Sequence, residues 1–102
     1  MLRQRDYPKQ ISAKDDIWEI KWVRTIDKGE VVPTLGLTDP SDHTVYMKMG
    51  QLPKERLVTF IHELIHIAEF AYGFEIPHDL VSKLDVALAE ILIANYIGGK
   101  AS

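Results

Sequence analysis

The 102-residue chain has no cysteine, which excludes disulfide scaffolds, thiol nucleophiles, iron–sulfur clusters and cysteine-ligated zinc fingers. Long apolar runs are missing too. The most hydrophobic stretch, Val86 to Ala94, is far short of the ~20 residues that a membrane helix requires. The start, Met1-Leu2-Arg3-Gln4-Arg5-Asp6, leads into no signal-peptide core. There is no basic stripe: 12 Lys and Arg face 15 Asp and Glu, a net charge of −3, so neither a nucleic-acid partner nor a membrane is expected. Glycine and proline are scattered singly, and no linker or repeat is visible. What is left is a single domain spanning 1–102, cytoplasmic, whose 46% hydrophobic content is enough for one core.

Against these absences, histidine is concentrated. His62, His66 and His78 lie within 17 residues, whereas the first 42 contain none. Acidity gathers in the same region, since residues 61–102 carry six Asp and Glu against two Lys and Arg.

Hydrophobic patterning divides the chain into two halves. Ile17 to Arg24 alternates β-branched and aromatic residues and reads as a strand ended by Asp27-Lys28-Gly29. Trp18 and Trp22 face one side of it, toward the core. Val31–Leu37 and Thr44–Met49 form two further apolar runs, and the turn formers Thr38 to His43 between them predict an antiparallel hairpin. Residues 1–16 give no definite element. From Pro53 the period becomes helical: Leu57, Ile61, Leu64, Ala68 and Ala71 share a face, and Gly73 is a natural stop. Pro77 opens a second helix with Val81, Leu84, Leu88, Ile91, Leu92 and Asn95 on one face, closed by Gly98-Gly99. Its nearly all-round apolarity predicts burial between the sheet and the first helix, or a homo-oligomeric contact. The expected fold is α+β: a three-stranded, mostly antiparallel sheet followed by two helices.

The first helix carries His62-Glu63-Leu64-Ile65-His66, an H-E-x-x-H motif. Residues four apart are neighbours on a helix face, so both imidazoles can reach one metal ion. Zinc, Zn2+, suits neutral imidazole nitrogen, and a hydrolytic site uses three protein ligands plus a water. Glu63, about 100° round the helix from His62, is placed to take a proton from that water. His62 and His66 avoid the main apolar stripe; the competing explanation is a merely solvated polar face. A third ligand must come from elsewhere, and Glu69, Glu75, His78, Asp79 and Asp85 are the candidates. Glu69 is expected to point past the metal, either as solvated surface or as a group supporting the ligands from behind. Asp85 borders an apolar stripe and wants a partner, as a ligand or by orienting a histidine through its other ring nitrogen. His78 and Asp79 can equally be ordinary first-turn residues. His43 reads as an exposed turn residue, and Tyr46 and Tyr72 as packing residues that could also donate to an oxyanion.

From about Ile17 to Asn95, and most sharply at His62-Glu63-Leu64-Ile65-His66-Ile67-Ala68, the chain resembles the small zincin-type metallopeptidases. The nearest likeness is to compact phage and prophage members and minimal gluzincins. The resemblance implies a zinc-dependent peptidase acting on a peptide or protein substrate, with His62 and His66 as ligands and Glu63 as base. Aligning Val81-Ser82-Lys83-Leu84 with the second helix of the phage-type family puts His78 where that family usually has a metal-binding glutamate, making His78 the preferred third ligand. Asp85 follows His66 by 19 residues, near the spacing at which larger gluzincins place theirs. The resemblance also makes Thr44 to Lys48 the edge strand that pairs with substrate. The alternative is a catalytically silent zinc-binding or protein-interaction module on the same fold.

Overall fold

Alternation along Asp16–Val23 puts Trp18, Ile20 and Trp22 on one face, and this strand, β2, is where the sheet meets the helices. The computed structural model describes residues 2–26 and 34–97. Its order is β1 (Gln10–Ala13), β2, β3 (Gly36–Asp39), β4 (Thr44–Lys48), α1 (Pro53–Tyr72) and α2 (His78–Leu92), with a 3-10 turn at Gln4–Asp6 and a π turn at Ile93–Ile97. The expected stops at Asp27-Lys28-Gly29 and Gly98-Gly99, and the start of the Val31–Leu37 run, lie outside the described residues.

The fold is α+β, but the sheet has four strands and is mixed, in the order β1-β2-β4-β3. The additional strand, β1, pairs antiparallel with β2 from Gln10↔Glu19 to Ala13↔Asp16. Its polar sequence shows little alternation, and only Ala13 is buried. The predicted hairpin is present as antiparallel β3 and β4, although β3 runs on to Asp39 through residues with turn chemistry. β4 inserts between β3 and β2 and pairs parallel with β2, Ile20↔Val45 and Trp22↔Met47 sharing a face. Flanked on both sides, β4 buries Thr44, Val45 and Met47.

Two cores follow. Trp18, Ile20, Val45 and Met47 pack against Ile67 of α1, with Phe60 and Leu64 alongside. Leu57 and Ile61 of α1 pack with Tyr7 and with Ala89 of α2. α1 is therefore apolar on two sides, wider than the single stripe expected. The second helix departs further from expectation. It packs on α1 through Val81, Asp85 and Ala89, spaced by four, while Leu80, Val86, Leu88 and Ile91 are exposed. It is not sandwiched between sheet and α1: its buried positions, Val81, Asp85 and Ala89, form one narrow stripe. No helix among the described residues is long and apolar enough to cross a membrane.

Candidate metal centre

The site is built on the third side of α1, where His62 and His66 stand one turn apart and Glu63 turns toward β3. Proline begins α1 at its first position, and Gly73, in the left-handed conformation, ends it as expected. Glu69 then organises the return. Its carbonyl accepts the N–H groups of Gly73 (2.9 Å) and Phe74 (3.1 Å), and its Oε2 accepts the N–H of Ile76 (2.7 Å). Pro77 caps α2 and His78 is its first residue, so this connection carries His78 back to the histidine face of α1.

One ring nitrogen from each of His62, His66 and His78 lies within 4.8 Å of the others. Their ring centroids are 4.7 Å (62–66), 5.4 Å (62–78) and 6.3 Å (66–78) apart. Carboxylates fix the two helix histidines from behind. Asp85 Oδ2 is 2.8 Å from His62 Nδ1, and Glu69 Oε1 is 2.7 Å from His66 Nδ1. An ionised carboxylate only accepts, so Nδ1 carries the proton and Nε2 keeps the lone pair that a metal needs. The Asp85 partner is buried and the Glu69 partner half-buried, an arrangement more ordered than a merely solvated face requires. The donor set fits a tetrahedral cation with one open position. Ligands about 2.1 Å from such an ion stand about 3.4 Å apart, so nitrogens within 4.8 Å of one another must close by up to roughly 1.4 Å. His78, exposed at the start of α2, has the freedom to make that adjustment.

Glu63 is only 4% exposed. Thr38 Oγ1 donates to its Oε1 at 2.7 Å, and β3 comes so close that a Cβ on Gly36 would stand 2.8 Å from Glu63 Oε2 and 2.7 Å from Thr59 Cγ2. Buried Gln51 sets this approach. Its Nε2 donates to the carbonyls of Lys48 (2.9 Å) and Leu35 (3.3 Å), and its Oε1 accepts from Thr59 Oγ1 (2.7 Å).

Around these groups lies a cavity of about 810 Å³, lined by His62, Glu63, His66 and His78, by Gly36, Leu37 and Thr38 of β3, and by Phe70 and Phe74. Among the described residues no Lys or Arg lines it; Glu69 and Glu75 do. Hydrogen bonding pulls the Glu69 carboxyl below its ordinary range, the Ile76 N–H contributing most and His66 adding to it.

Of the candidate third ligands, His78 joins the cluster. Asp85 orients His62, Glu69 stays out of the cluster and backs His66, one of the two roles expected of it, and Asp79 sits exposed in the first turn of α2. Glu75 borders the cavity outside the cluster. His43 is in the turn before β4 and outside the cluster, as expected of it, with its side chain part-exposed and its ring against Trp18 at 4.6 Å. Tyr46 and Tyr72 do not line the cavity, and Tyr72 lies under the Lys14 ammonium, 5.7 Å from its ring centroid. The strand assignment needs correction as well. Thr44–Lys48 is interior to the sheet, and the edge beside the cavity is β3. Lys48 N–H donates to Leu35 O at 3.0 Å, so 37/46 and 39/44 are the bonded pairs. Gly36 and Thr38 consequently turn their backbone groups away from β4.

Sequence reasoning missed Thr38, Gly36 and Gln51. Thr38 was hidden in a turn-forming run, and nothing local marks the other two. No protein-family model matches the chain, and no curated protein or solved structure matches it significantly.

Proposed function

We propose that this chain is a metal-dependent peptidase of the zincin type, with His62, His66 and His78 holding zinc and Glu63 as general base. One observation carries this reading: three imidazole nitrogens converge beside a buried glutamate held by a hydrogen bond from an edge strand. Three neutral imidazoles, two of them backed by carboxylates, are a donor set suited to Zn2+. A bound zinc ion supplies Lewis acidity, polarising a carbonyl and acidifying water.

The chain's own residues do the rest. Glu63 takes the proton of the attacking water and passes it to the leaving amine, its carboxylate plane fixed by Thr38. Asp85 and Glu69 hold the imidazoles in one tautomer and orientation. β3 offers the outward backbone groups of Gly36 and Thr38 to an extended peptide, which adds as a further strand across the histidine cluster.

The test is metal analysis of the purified chain together with a Glu63→Gln variant assayed on a diverse peptide mixture. The reading requires one zinc per chain in both proteins and a rate loss of about 10²- to 10⁴-fold in the variant. Full metal occupancy without cleavage by the unmodified chain points instead to a silent zinc-binding module, and unchanged activity in Glu63→Gln removes Glu63 as the base.

A further inference from the structure

Because α2 is not sandwiched between sheet and α1, most of its apolar residues are left facing outward. Leu80, Leu84, Ala87 and Ile91 follow one another at intervals of four, three and four, the repeat by which two helices pack side by side. At about 100° per residue their stripe lies about 130° round α2 from the one formed by Val81, Asp85 and Ala89. Leu80 and Ile91 are 45% and 53% exposed, Ala87 is exposed and Leu84 half-buried.

The stripe is complementary to its own reversal. Two antiparallel copies, related by a two-fold axis level with the turn between Leu84 and Ala87, bring Leu80 opposite Ile91 and Leu84 opposite Ala87, so that a larger residue meets a small one nearest the axis. Charge follows the same symmetry. Lys83 and Glu90, both exposed, lie on the flank of the stripe away from α1, and in this arrangement Lys83 of each copy faces Glu90 of the other. Both ion pairs therefore form together. A parallel pair puts Lys83 beside Leu88 instead, where it meets no charge. Glu90 already accepts from Lys54 Nζ at 3.0 Å, and a carboxylate has room for a second donor. Exposed pairs of this kind add little affinity but choose orientation and partner. Size and charge that match on reversal are what a contact between identical copies requires, and a partner of different sequence imposes no such symmetry.

We propose that the outer face of α2 binds a second copy of this chain as an antiparallel, two-fold-symmetric helix pair, with Leu80, Leu84, Ala87 and Ile91 in the seam and Lys83 paired to Glu90 across it. His78 stands roughly 150° round the helix from the seam, on the α1 side. The histidine cluster is thus outside the contact, and the inference is independent of the metal and peptidase readings.

Sedimentation equilibrium of the full chain, from about 1 μM to 1 mM, tests the pairing. The expected result is a reversible monomer–dimer equilibrium. Ala87→Glu sets two carboxylates beside the axis and should weaken the dimer by at least about tenfold. Ala87 is exposed on a helix, so the variant should keep the unmodified far-ultraviolet circular dichroism. Orientation is tested by two charge reversals. Lys83→Glu and Glu90→Lys each turn both cross-pairs repulsive, and each alone should weaken self-association by about tenfold. Mixed one to one, the two variants regain attraction at both pairs and should form a heterodimer with the affinity of the unmodified chain. A monomer at every concentration, which leaves the face to a different protein, overturns the proposal. So does a dimer that survives Ala87→Glu unchanged, or a mixture that associates no better than either variant alone.

Discussion

Thr38 Oγ1 donates a 2.7 Å hydrogen bond to Glu63 Oε1, joining the edge strand to the candidate base across 25 residues of sequence. A hydrogen bond to a charged group contributes about 1.5–3 kcal/mol when its loss leaves that group buried. Thr38→Val keeps the shape and removes the donor. Stability should fall by about that amount, and kcat by roughly tenfold or more as the carboxylate loses its fixed plane, while metal content stays at one per chain. Thr38→Ser, which restores the hydroxyl, should recover most of the activity. Activity, metal analysis and urea denaturation on the three proteins check this.

Gly36 predicts an effect of space and not of backbone strain, because its φ is not in the left-handed region. Its missing Cβ is matched by Thr59 Cγ2 at 2.7 Å and Glu63 Oε2 at 2.8 Å. Gly36→Ala should cost about 1–3 kcal/mol by overpacking. Removing one obstacle separates the two consequences: Gly36→Ala in a Thr59→Ser background, which keeps the hydroxyl bonded to Gln51 but lacks the methyl, should regain stability. It should remain poorly active, since Glu63 is still displaced. Paired thermal melts and rate measurements decide it.

Tyr7 is packed edge-on against Trp22 (5.6 Å) and Phe60 (5.0 Å), with its hydroxyl buried and unpartnered. Burial raises its pKa above the ordinary value of 10.0, Arg56 opposing the shift. A raised pKa in the folded state means the neutral phenol favours folding. That contribution is fully present below pH 10 and is lost as pH climbs through the folded value. Tyr7→Phe keeps both ring contacts and removes an unsatisfied hydroxyl. At pH 7 it should be as stable as the unmodified chain or more so, and it should lose less stability above pH 10. Denaturant midpoints at the two pH values test both halves.

Patterning reached the two helices, the hairpin and the core role of Trp18, because those features are local and periodic. β1 has too few buried positions to alternate, and its partner β2 decides it. The interior place of β4 depends on which strands pair, a long-range matter that left Thr44–Lys48 looking like an edge. His62, Glu63 and His66 were visible because a single helix turn brings them together. His78 needed the aligned second helix as well as its residue type. Thr38 was concealed by its own chemistry, since threonine beside Asp39-Pro40 favours a turn and only the pairing Thr38↔Val45 makes it strand. The orienting role of Asp85 was one of two weighed from its apolar surroundings, whereas that of Glu69 depends on the inter-helix connection folding back over it.

The two orienting carboxylates should respond differently to removal. Each backs one histidine, so Asp85→Asn and Glu69→Gln should both weaken zinc by roughly 10- to 100-fold, measurable by competition with a chromophoric chelator. Metal-free stability separates them. Glu69 also accepts the Ile76 N–H at 2.7 Å, so its variant should lose about 1–2 kcal/mol without metal. Asp85 has one oxygen buried without a partner, so neutralising it should leave metal-free stability within about 1 kcal/mol. Acid gives a further distinction. Glu69 has its pKa lowered from 4.5, so its contribution is present above that value and disappears as pH falls through the folded one. The Glu69→Gln deficit should therefore shrink in acid. Saturating zinc at about 100 times its Kd adds about 2.7 kcal/mol to the unmodified chain, a rise in Tm on the order of 10–20 °C for a domain of this size. Melts that do not move with zinc, or that move equally in His62→Ala, would remove the histidine cluster as the binding site.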